Sequence, residues 1–567
     1  MTKRSKNQKT ISVSYDNIRG VDFSGRASEK KHFPLLQNMY IDYEGGFGCI
    51  ESIPGFRRLF SFKKRVHGIY LMESLVFLHS GEGLYFFNRK ERDNLHALTP
   101  TLILPDRSCP IVSDGSRLWI LGNDELISIN SVCEVERFEA AEHISRCRIM
   151  AKQGKRIFLS GDESKPCRVY FADLDDNGVP IFSPNGYFDL DSRVNNLLSE
   201  GERLWILTRD GAYSYTPELQ GFTLEKTLGA LSALGAIRFL DRMLFCSSDG
   251  LFSADGVCVS DEINPRLMRG EAEEISLIPW RGYLALCKNG EIFLADPRNR
   301  RGSDEGFDWY YLCSIGTHSG DSAVYCYSPV ADDGFAVHQS PDKMTEGIVM
   351  SLKNADGKTI YYTECDGVKY ALYPTPERRG GIFSPATKFA SDGELLYLAT
   401  QSGDLCIFNS DMRGVPPKHL RESEGFDTIE YERLYGNEIH PFFYSFASHR
   451  AEYRLKTPAD CIDMPSERKN TQRGSLTLDC RCFGRSSMEI SVICDGREIL
   501  RKRLLPTRLD FWEIDFDNLG SPCAERVKFS IPEHQNGWVN KQISIYGGEF
   551  CSPIGIYSLF YRCRKSG

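Results

Sequence analysis

The sequence has little that marks an enzyme, a membrane protein or a secreted protein. No apolar run approaches the roughly 18 residues a membrane helix needs, so no transmembrane span is expected. The opening MTKRSKNQKT is basic, but no apolar stretch follows it; a disordered tail is expected rather than a secretory leader. Long helical periodicity is missing throughout. The 19 cysteines form no CxxC pair, and the tightest spacing is Cys480-Arg-Cys482. Cys246, Cys287, Cys326 and Cys406 sit inside apolar runs, where a free thiol behaves as a small hydrophobe. Reduced core thiols made in a reducing compartment follow from that placement, rather than zinc sites or a disulfide framework.

Chemical signatures are equally scarce. The 11 histidines make no HExxH, no H-x-H and no His–Cys metal spacing, so His67, His79 and His338 read as structural residues in or beside strands. No Walker loop, GxGxxG or nucleophile elbow occurs, and no WD signature. Ser247-Ser248-Asp249-Gly250 and Ser391-Asp392-Gly393 lack the downstream Trp of an Asp-box and read as β-turns. Asp175-Asp176 and Asp332-Asp333 lie in loop-like sequence and do not suffice for glycoside hydrolysis. No catalytic residue, metal or cofactor is therefore expected. The net charge of −8 gives no argument for wrapping nucleic acid. The basic clusters at 4–9, 29–31, 62–65, 298–301 and 501–503 read as solvated loop or edge charges, the alternative being a local patch that faces phosphates, which an acidic chain can still carry.

What the chain does have is glycine (49 residues), aromatics (12%) and a repeat. Short apolar runs recur, each followed by a turn and a second strand: LVFLHSGEGLYFF from Leu75, LWILGNDELISI from Leu118, IFLSGDESKPCRVYFAD from Ile157, LWILTRDGAYSY from Leu204, MLFCSSDGLFSAD from Met243 and YLALCKNGEIFLAD from Tyr283. Their starts are 39 to 47 residues apart. GFAVHQSPDK from Gly334 is weaker, and LYLATQSGDLCIF from Leu396 is clear. Asp210-Gly211, Asp249-Gly250, Asn289-Gly290 and Ser402-Gly403 suit tight hairpins. Three or four strands about every forty residues is the pattern of a propeller blade, and stacking blades buries both faces of each. The fold expected is all-β: a β-propeller of seven or eight blades over 62–415, an N-terminal extended segment over 1–61 and a C-terminal antiparallel β-sandwich over 416–567. The stretch 298–390 would hold a distorted blade or an insertion. Tandem sandwiches are the competing architecture. Asp495-Gly496 is an expected hairpin turn in the last domain.

The segment 19–58 is not periodic, yet it carries three distinctive pieces. These are Gly20-Val21-Asp22-Phe23-Ser24, then Asn38-Met39-Tyr40-Ile41-Asp42-Tyr43, then Glu51-Ser52-Ile53-Pro54-Gly55-Phe56-Arg57-Arg58. Together they resemble the N-terminal region of the packaged-DNA stabilisation, or neck-stopper, proteins of short-tailed bacteriophages. The last 150 or so residues carry no matching motif. The resemblance implies a structural virion protein without catalysis or cofactor, made in the host cytoplasm and located in the neck or tail. It implies a ring of copies, a hexamer, below the portal and adaptor proteins and above a distal tail protein. Double-stranded DNA would pass through the channel without sequence recognition, with no membrane involved. Phe23, Tyr40, Asp42, Tyr43, Glu51, Phe56, Arg57 and Arg58 would then be candidate subunit or adaptor contacts, since aromatics and Arg dominate interface hot spots. A second role is open and compatible: the same residues would seal the propeller by adding a strand to its last blade. Two other functions stay open at this point, a carbohydrate-binding or glycoside-processing propeller and a cytosolic propeller scaffold.

Overall fold

The computed structural model describes residues 10–24, 31–43, 48–53, 56–62, 64–98, 101–216, 225–227, 232–247, 249–268, 275–288, 291–298, 306–314, 326–331, 334–335, 350–353, 359–365, 368–373, 386–400, 403–408, 448–449, 453–462, 464–472, 476–482, 488–504, 525–547 and 554–566. At 56–58, 61, 92–93, 225–227, 313–314, 326–373, 386, 448–449, 482 and 525 the description covers the backbone only. Strands dominate, and the two helices among these residues, Glu142–Ser145 and Asn264–Leu267, are single turns.

The repeats form antiparallel meanders. The first pairs Val66–Met72, Leu75–Ser80, Gly83–Asn88 and Glu91–Ala97 in order. The next pairs Ile111–Ser113, Arg117–Gly122, Glu125–Asn130 and Val135–Glu139, and further meanders begin at Ile149, Val194, Gly235, Ile275 and Ala386. The runs are apolar without alternation because each sheet is covered on both faces. In LWIL, Leu118 and Ile120 pack on Phe77 and Leu84 of the preceding meander, while Trp119 and Leu121 pack on Ile157 and Leu159 of the following one. The next LWIL behaves alike, with Leu204 and Ile206 against Phe158 and Leu207 against Phe245. The first strand of each meander touches the first strand of the next, and Ala386–Ser391 returns to touch Val66–Met72. This radial arrangement of sheets around an axis is a β-propeller. Cys246, Cys287 and Cys406 are buried, as expected of core residues; Cys326 and His338 lie outside the described side chains.

One sheet is built from distant parts of the chain. Its strands run Ala386–Ser391, Leu396–Thr400, Asp404–Phe408 and then Phe56–Ser61, with Phe408 opposite Phe56 and Asp404 opposite Ser61. The segment holding Arg57 and Arg58 therefore supplies the fourth strand, which seals the propeller, and Ser448–His449 pairs on its far side. Behind it Phe62, Val66 and Leu78 share a core with Tyr397, Leu405 and Ile407. Gly403 has φ +91°, and a β-carbon there would run into the carbonyls of Phe62 and Lys64. Only glycine lets the strands cross so closely. At the end carrying the first-to-second turns, neighbouring meanders are tied turn to turn. Glu73 N–H donates to Gly115 O at 3.1 Å, Lys152 meets Asp114 at 2.9 Å, Gln153 Nε2 donates to Gly201 O at 3.0 Å, and Arg281 N–H donates to Gly393 O at 3.1 Å. Ser391-Asp392-Gly393 is one of these turns, with Asp392 Oδ1 accepting from the N–H groups of Glu394 and Leu395.

Two turn expectations shift by one residue. Thr208 pairs with Gly211 and Ser247 with Gly250, so these glycines open the following strand instead of sitting in the loop. Asp495-Gly496 does form the turn between Met488–Cys494 and Arg497–Leu504, both residues at positive φ. Asn289, Gly290 and Ser402 lie outside the described residues, as do Asp332 and Asp333. Gly334–Phe335 pairs with Cys326–Ala331 in a separate sheet, completed by Met350–Lys353, Thr359–Cys365 and Val368–Tyr373. That sequence is thus an insertion with its own pairing.

The residues after 450 form two antiparallel sheets with one shared core, in which Ile490, Val492, Ile543 and Ile545 meet Leu476, Leu478, Ile556 and Tyr561. The N-terminal segment is woven into both. Thr10–Asp16 pairs with Ile554–Lys565, and so does Ile50–Ser52, which in turn pairs with Met39–Ile41. Leu35–Gln37 lies between Asp308–Ser314 of the propeller and Tyr453–Lys456, so one continuous sheet runs from the propeller into the C-terminal unit. Residues 1–61 therefore do not stand apart as an extended arm where they are described. Their short strands find partners only in sheets assembled later in the chain.

Gly403→Ala should destabilise the protein by about 3 kcal/mol, combining backbone strain with crowding. Gly393→Ala, at φ +96° but with open space around it, should cost about 1 kcal/mol. Urea unfolding of the two variants checks this; equal losses would show that the crossing is not crowded.

Candidate functional site

Two of the three N-terminal pieces converge on the meander that runs from Ile275 to Ser314, and the third continues into the sealing strand. Gly20–Val21 pairs in parallel with His32–Phe33, and Gly20 lies so close to the Trp309 backbone that a β-carbon would sit 2.6 Å from its carbonyl oxygen. Asp22 then folds the chain back, its Oδ1 accepting from Ser24 N–H at 2.8 Å and Ser24 Oγ at 2.5 Å. This points Phe23 at Tyr311, edge to face with centroids 5.8 Å apart. Arg266 completes the contact. Its guanidinium lies 4.0 Å from the Tyr311 ring centre, donates to the Tyr311 hydroxyl at 2.6 Å, and pairs with Glu291 at 2.8 Å.

The middle piece crosses the other end of the same sheet. Asn38 adopts φ +55°, which lets its N–H reach Tyr311 O at 2.8 Å while its carbonyl accepts from Ile53 N–H at 2.9 Å. Tyr40 is buried between Tyr283 and Phe408, edge-on to both. The Tyr283 hydroxyl donates to Ile41 O. Tyr43 donates to Asp296 Oδ2 at 2.9 Å, and Arg298 stacks over both Tyr43 and Tyr283 at 4.4 Å. Asp296 faces Asp308 across the strand pair, and His32 Nε2 lies 2.9 Å from Asp308 Oδ1. Two buried carboxylates thus stand opposite each other, each met by a group from the N-terminal segment. Burial pushes the Asp296 carboxyl up and Asp308 adds to this, against the backbone N–H of Arg298 and the hydroxyl of Tyr43. Burial likewise raises the Tyr283 and Tyr310 phenols. The arrangement clamps one segment onto one sheet by hydrogen bonds, stacked rings and paired charges.

The expected contact residues divide by position. Tyr40, Asp42 and Glu51 are buried, and Asp42 N–H donates to Glu51 Oε1 at 3.3 Å. Phe23 is half-buried against Tyr311. Tyr43 is 45% exposed and is the one of the five that offers a large surface outward. Phe56, Arg57 and Arg58 belong to the sealing strand by backbone pairing, and their side chains lie outside the description. Reading the sequence missed Asp296, Asp308, His32, Arg266, Glu291 and Tyr311. Arg298 was grouped with a solvated basic cluster, yet it stacks in the clamp. Among the described residues no group of three or more His, Cys, Asp or Glu is arranged to hold a metal ion.

The fold and this clamp define an all-β propeller protein whose N-terminal segment is locked into it. No protein-family model matches the chain, and no curated protein does. Among solved structures, the chain is similar to virginiamycin B lyase from Staphylococcus aureus (11% identity, TM-score 0.30, covering 63% of this chain and 98% of that one). It is similar to BamB from Moraxella catarrhalis (10%, TM-score 0.31, 63% and 98%) and to Hsv2 from Kluyveromyces lactis (10%, TM-score 0.30, 53% and 98%). A likeness this distant carries nothing about activity or partners.

Asp296 also generates a pH prediction. Its carboxyl is held above the ordinary range in the folded chain. Its contribution to stability is therefore fully present below the ordinary Asp value of about 3.9 and is lost as pH rises through the raised one. Asp296→Asn should keep the Arg298 N–H bond, with the Tyr43 hydroxyl turned to accept. The variant should melt at or above the wild type at pH 7, and the difference should shrink toward pH 4. Calorimetry at both pH values checks the sign; a variant equally destabilised at both would show that the charge itself is needed.

Proposed function

We propose that this protein is a structural component of a short-tailed phage virion, a ring-forming neck or tail protein that sits below the portal and adaptor. In this reading it continues the DNA channel and helps retain the packaged genome, acting by assembly and not by catalysis. The observation that carries the proposal is the N-terminal trio of motifs, GVDFS, NMYIDY and ESIPGFRR. Their residues bond to the propeller at Tyr43 and pair with the C-terminal unit at Glu51, as a part under load from packed DNA requires. In this reading the propeller has seven of the seven or eight blades that the repeat allows, and the C-terminal pair of sheets is a sandwich; the succession of first strands that begins at Val66 and returns through Ala386, and the core the two sheets share, support it. The N-terminal segment then belongs to both domains.

The end of the propeller with the turn-to-turn ties suits axial stacking on a neighbouring ring. Tyr43 lies there, and the turn tips add Val132, Leu240 and Val257, each at least 38% exposed. In the virion the protein would form a hexameric ring between adaptor and distal tail protein, with DNA passing through unread.

Mixing the purified full chain with its portal–adaptor complex and imaging the product by electron cryomicroscopy tests this. An added ring is expected. Val132→Asp combined with Leu240→Asp should weaken ring addition by about tenfold or more, as loss of interface anchors does, without moving the melting temperature. No added density, from a protein that stays monomeric beside the complex, would overturn the proposal.

A further inference from the structure

A buried amine and a buried carboxyl meet in the core of the C-terminal unit. Lys541 opens the strand Lys541–Gly547, opposite Cys494 on Met488–Cys494 and bridged to Asp460. Glu533 lies in the stretch that links Glu525–Ile531 to this strand. Lys541 Nζ is 2.5 Å from Glu533 Oε1 and 2.6 Å from Oε2, and the two side chains are 0% and 1% exposed. The walls are apolar or weakly polar: Tyr561, whose ring centre lies 4.2 Å from Nζ, then Trp538, Cys494 and Cys563, all buried. A second buried lysine shows the ordinary solution. Lys469 Nζ is solvated by the carbonyls of Met464, Glu467 and Val539 at 2.9 to 3.0 Å. Lys541 Nζ has no such carbonyl cage among the described residues, and its hydrogen bonds go to Glu533.

We propose that Lys541 and Glu533 condense into an intramolecular amide. Burial in so dry a place disfavours the Lys541 ammonium, and handing its proton to the carboxylate beside it removes both charges. That is the reactive form of both partners, and a desolvated lysine is a nucleophile. They are held within reacting distance, where effective concentrations reach roughly 10⁵ M or more. Thr471 Oγ1 donates to Glu533 Oε1 at 3.3 Å and is itself held by Trp538 Nε1 at 3.0 Å, so it supports negative charge forming on that oxygen. The step balances without an added reagent. In the neutral pair the ammonium has passed one proton to Oε2. The Nζ lone pair forms a bond to Cδ, and the Cδ–Oε2 bond breaks. Oε2 leaves with its proton and a second proton from Nζ, as water. Oε1 remains as the amide carbonyl, and nothing is oxidised or reduced.

The bond would fasten the start of one core strand to the stretch before it and remove both charges from the interior. Intact-mass spectrometry of the full chain, reduced and denatured, reads it directly. The expected mass is lower than the sequence mass by one water, with peptide mapping giving a branched peptide joined through 533 and 541. Lys541→Arg keeps a cation beside Glu533 but cannot condense, and Glu533→Ala removes the acid; both should show their full sequence mass. A wild-type chain that keeps its full mass, with linear peptides across both positions after prolonged incubation at 37 °C, would overturn the proposal and leave an ion pair. Water lost elsewhere, as at an Asp-Gly step, would persist in Lys541→Arg and would also count against it.

Discussion

A closed ring of sheets needs one strand pairing that a short turn cannot supply. Here it is the pairing of Phe56–Ser61 with Asp404–Phe408. Within every other blade the strands form a local meander, added one hairpin at a time, although the Ile275 meander is extended by Leu35–Gln37. If the sealing pair opens, the outer edge of one blade is bared, and the core of Phe62, Leu78, Tyr397 and Leu405 loses one of its walls. The tight crossing at Gly403 and the ordered segment before Phe56 both serve this single pairing.

The same segment does more than seal. On its way to the closing blade it passes the sheet that contains Tyr283, Asp296, Asp308 and Tyr311, and it is bonded to that sheet through Tyr43, His32 and the Asn38 N–H. Hydrophobic burial alone would leave its register loose, because strands of two or three residues have too few apolar side chains to define one. Polar partners define it instead. Tyr43 can reach Asp296, and His32 can reach Asp308, in one alignment only. Buried carboxylates are expensive, and opposing ones more so. Their cost is offset by a specific docking that apolar contacts would not dictate, and the same docking carries one sheet into the C-terminal unit without a break.

Much of the propeller was legible because each blade strand is buried on both faces, which leaves an uninterrupted apolar run such as LWIL in the sequence. Regular turn residues then set the repeat. The clamp was legible only in part. The motifs around Asn38 and Glu51 stood out, but their partners lie hundreds of residues away, and no local pattern links Tyr43 to Asp296 or Phe23 to Tyr311. Periodicity also fails for strands as short as Gly20–Val21 and Leu35–Gln37, so the segment read as extended. The run from Gly334 looked like a weak blade for the opposite reason. Its composition suits a strand, while its partners come from an insertion between blades.

The pairing of Thr10–Asp16 with Ile554–Lys565 has a consequence for the birth of the molecule on the ribosome. Translation at about 5–20 residues per second separates the emergence of these two strands by tens of seconds or more. Through that interval the early strand must wait without its partner, and the sealing strand at Phe56 waits for Asp404–Phe408 as well. Such long-range pairings form late and leave strand edges open to wrong partners in the meantime. A chain interrupted before Ile554 can close its blades but cannot complete the sheet that holds Thr10–Asp16 and Ile50–Ser52, so incomplete translation products are marked by open edges.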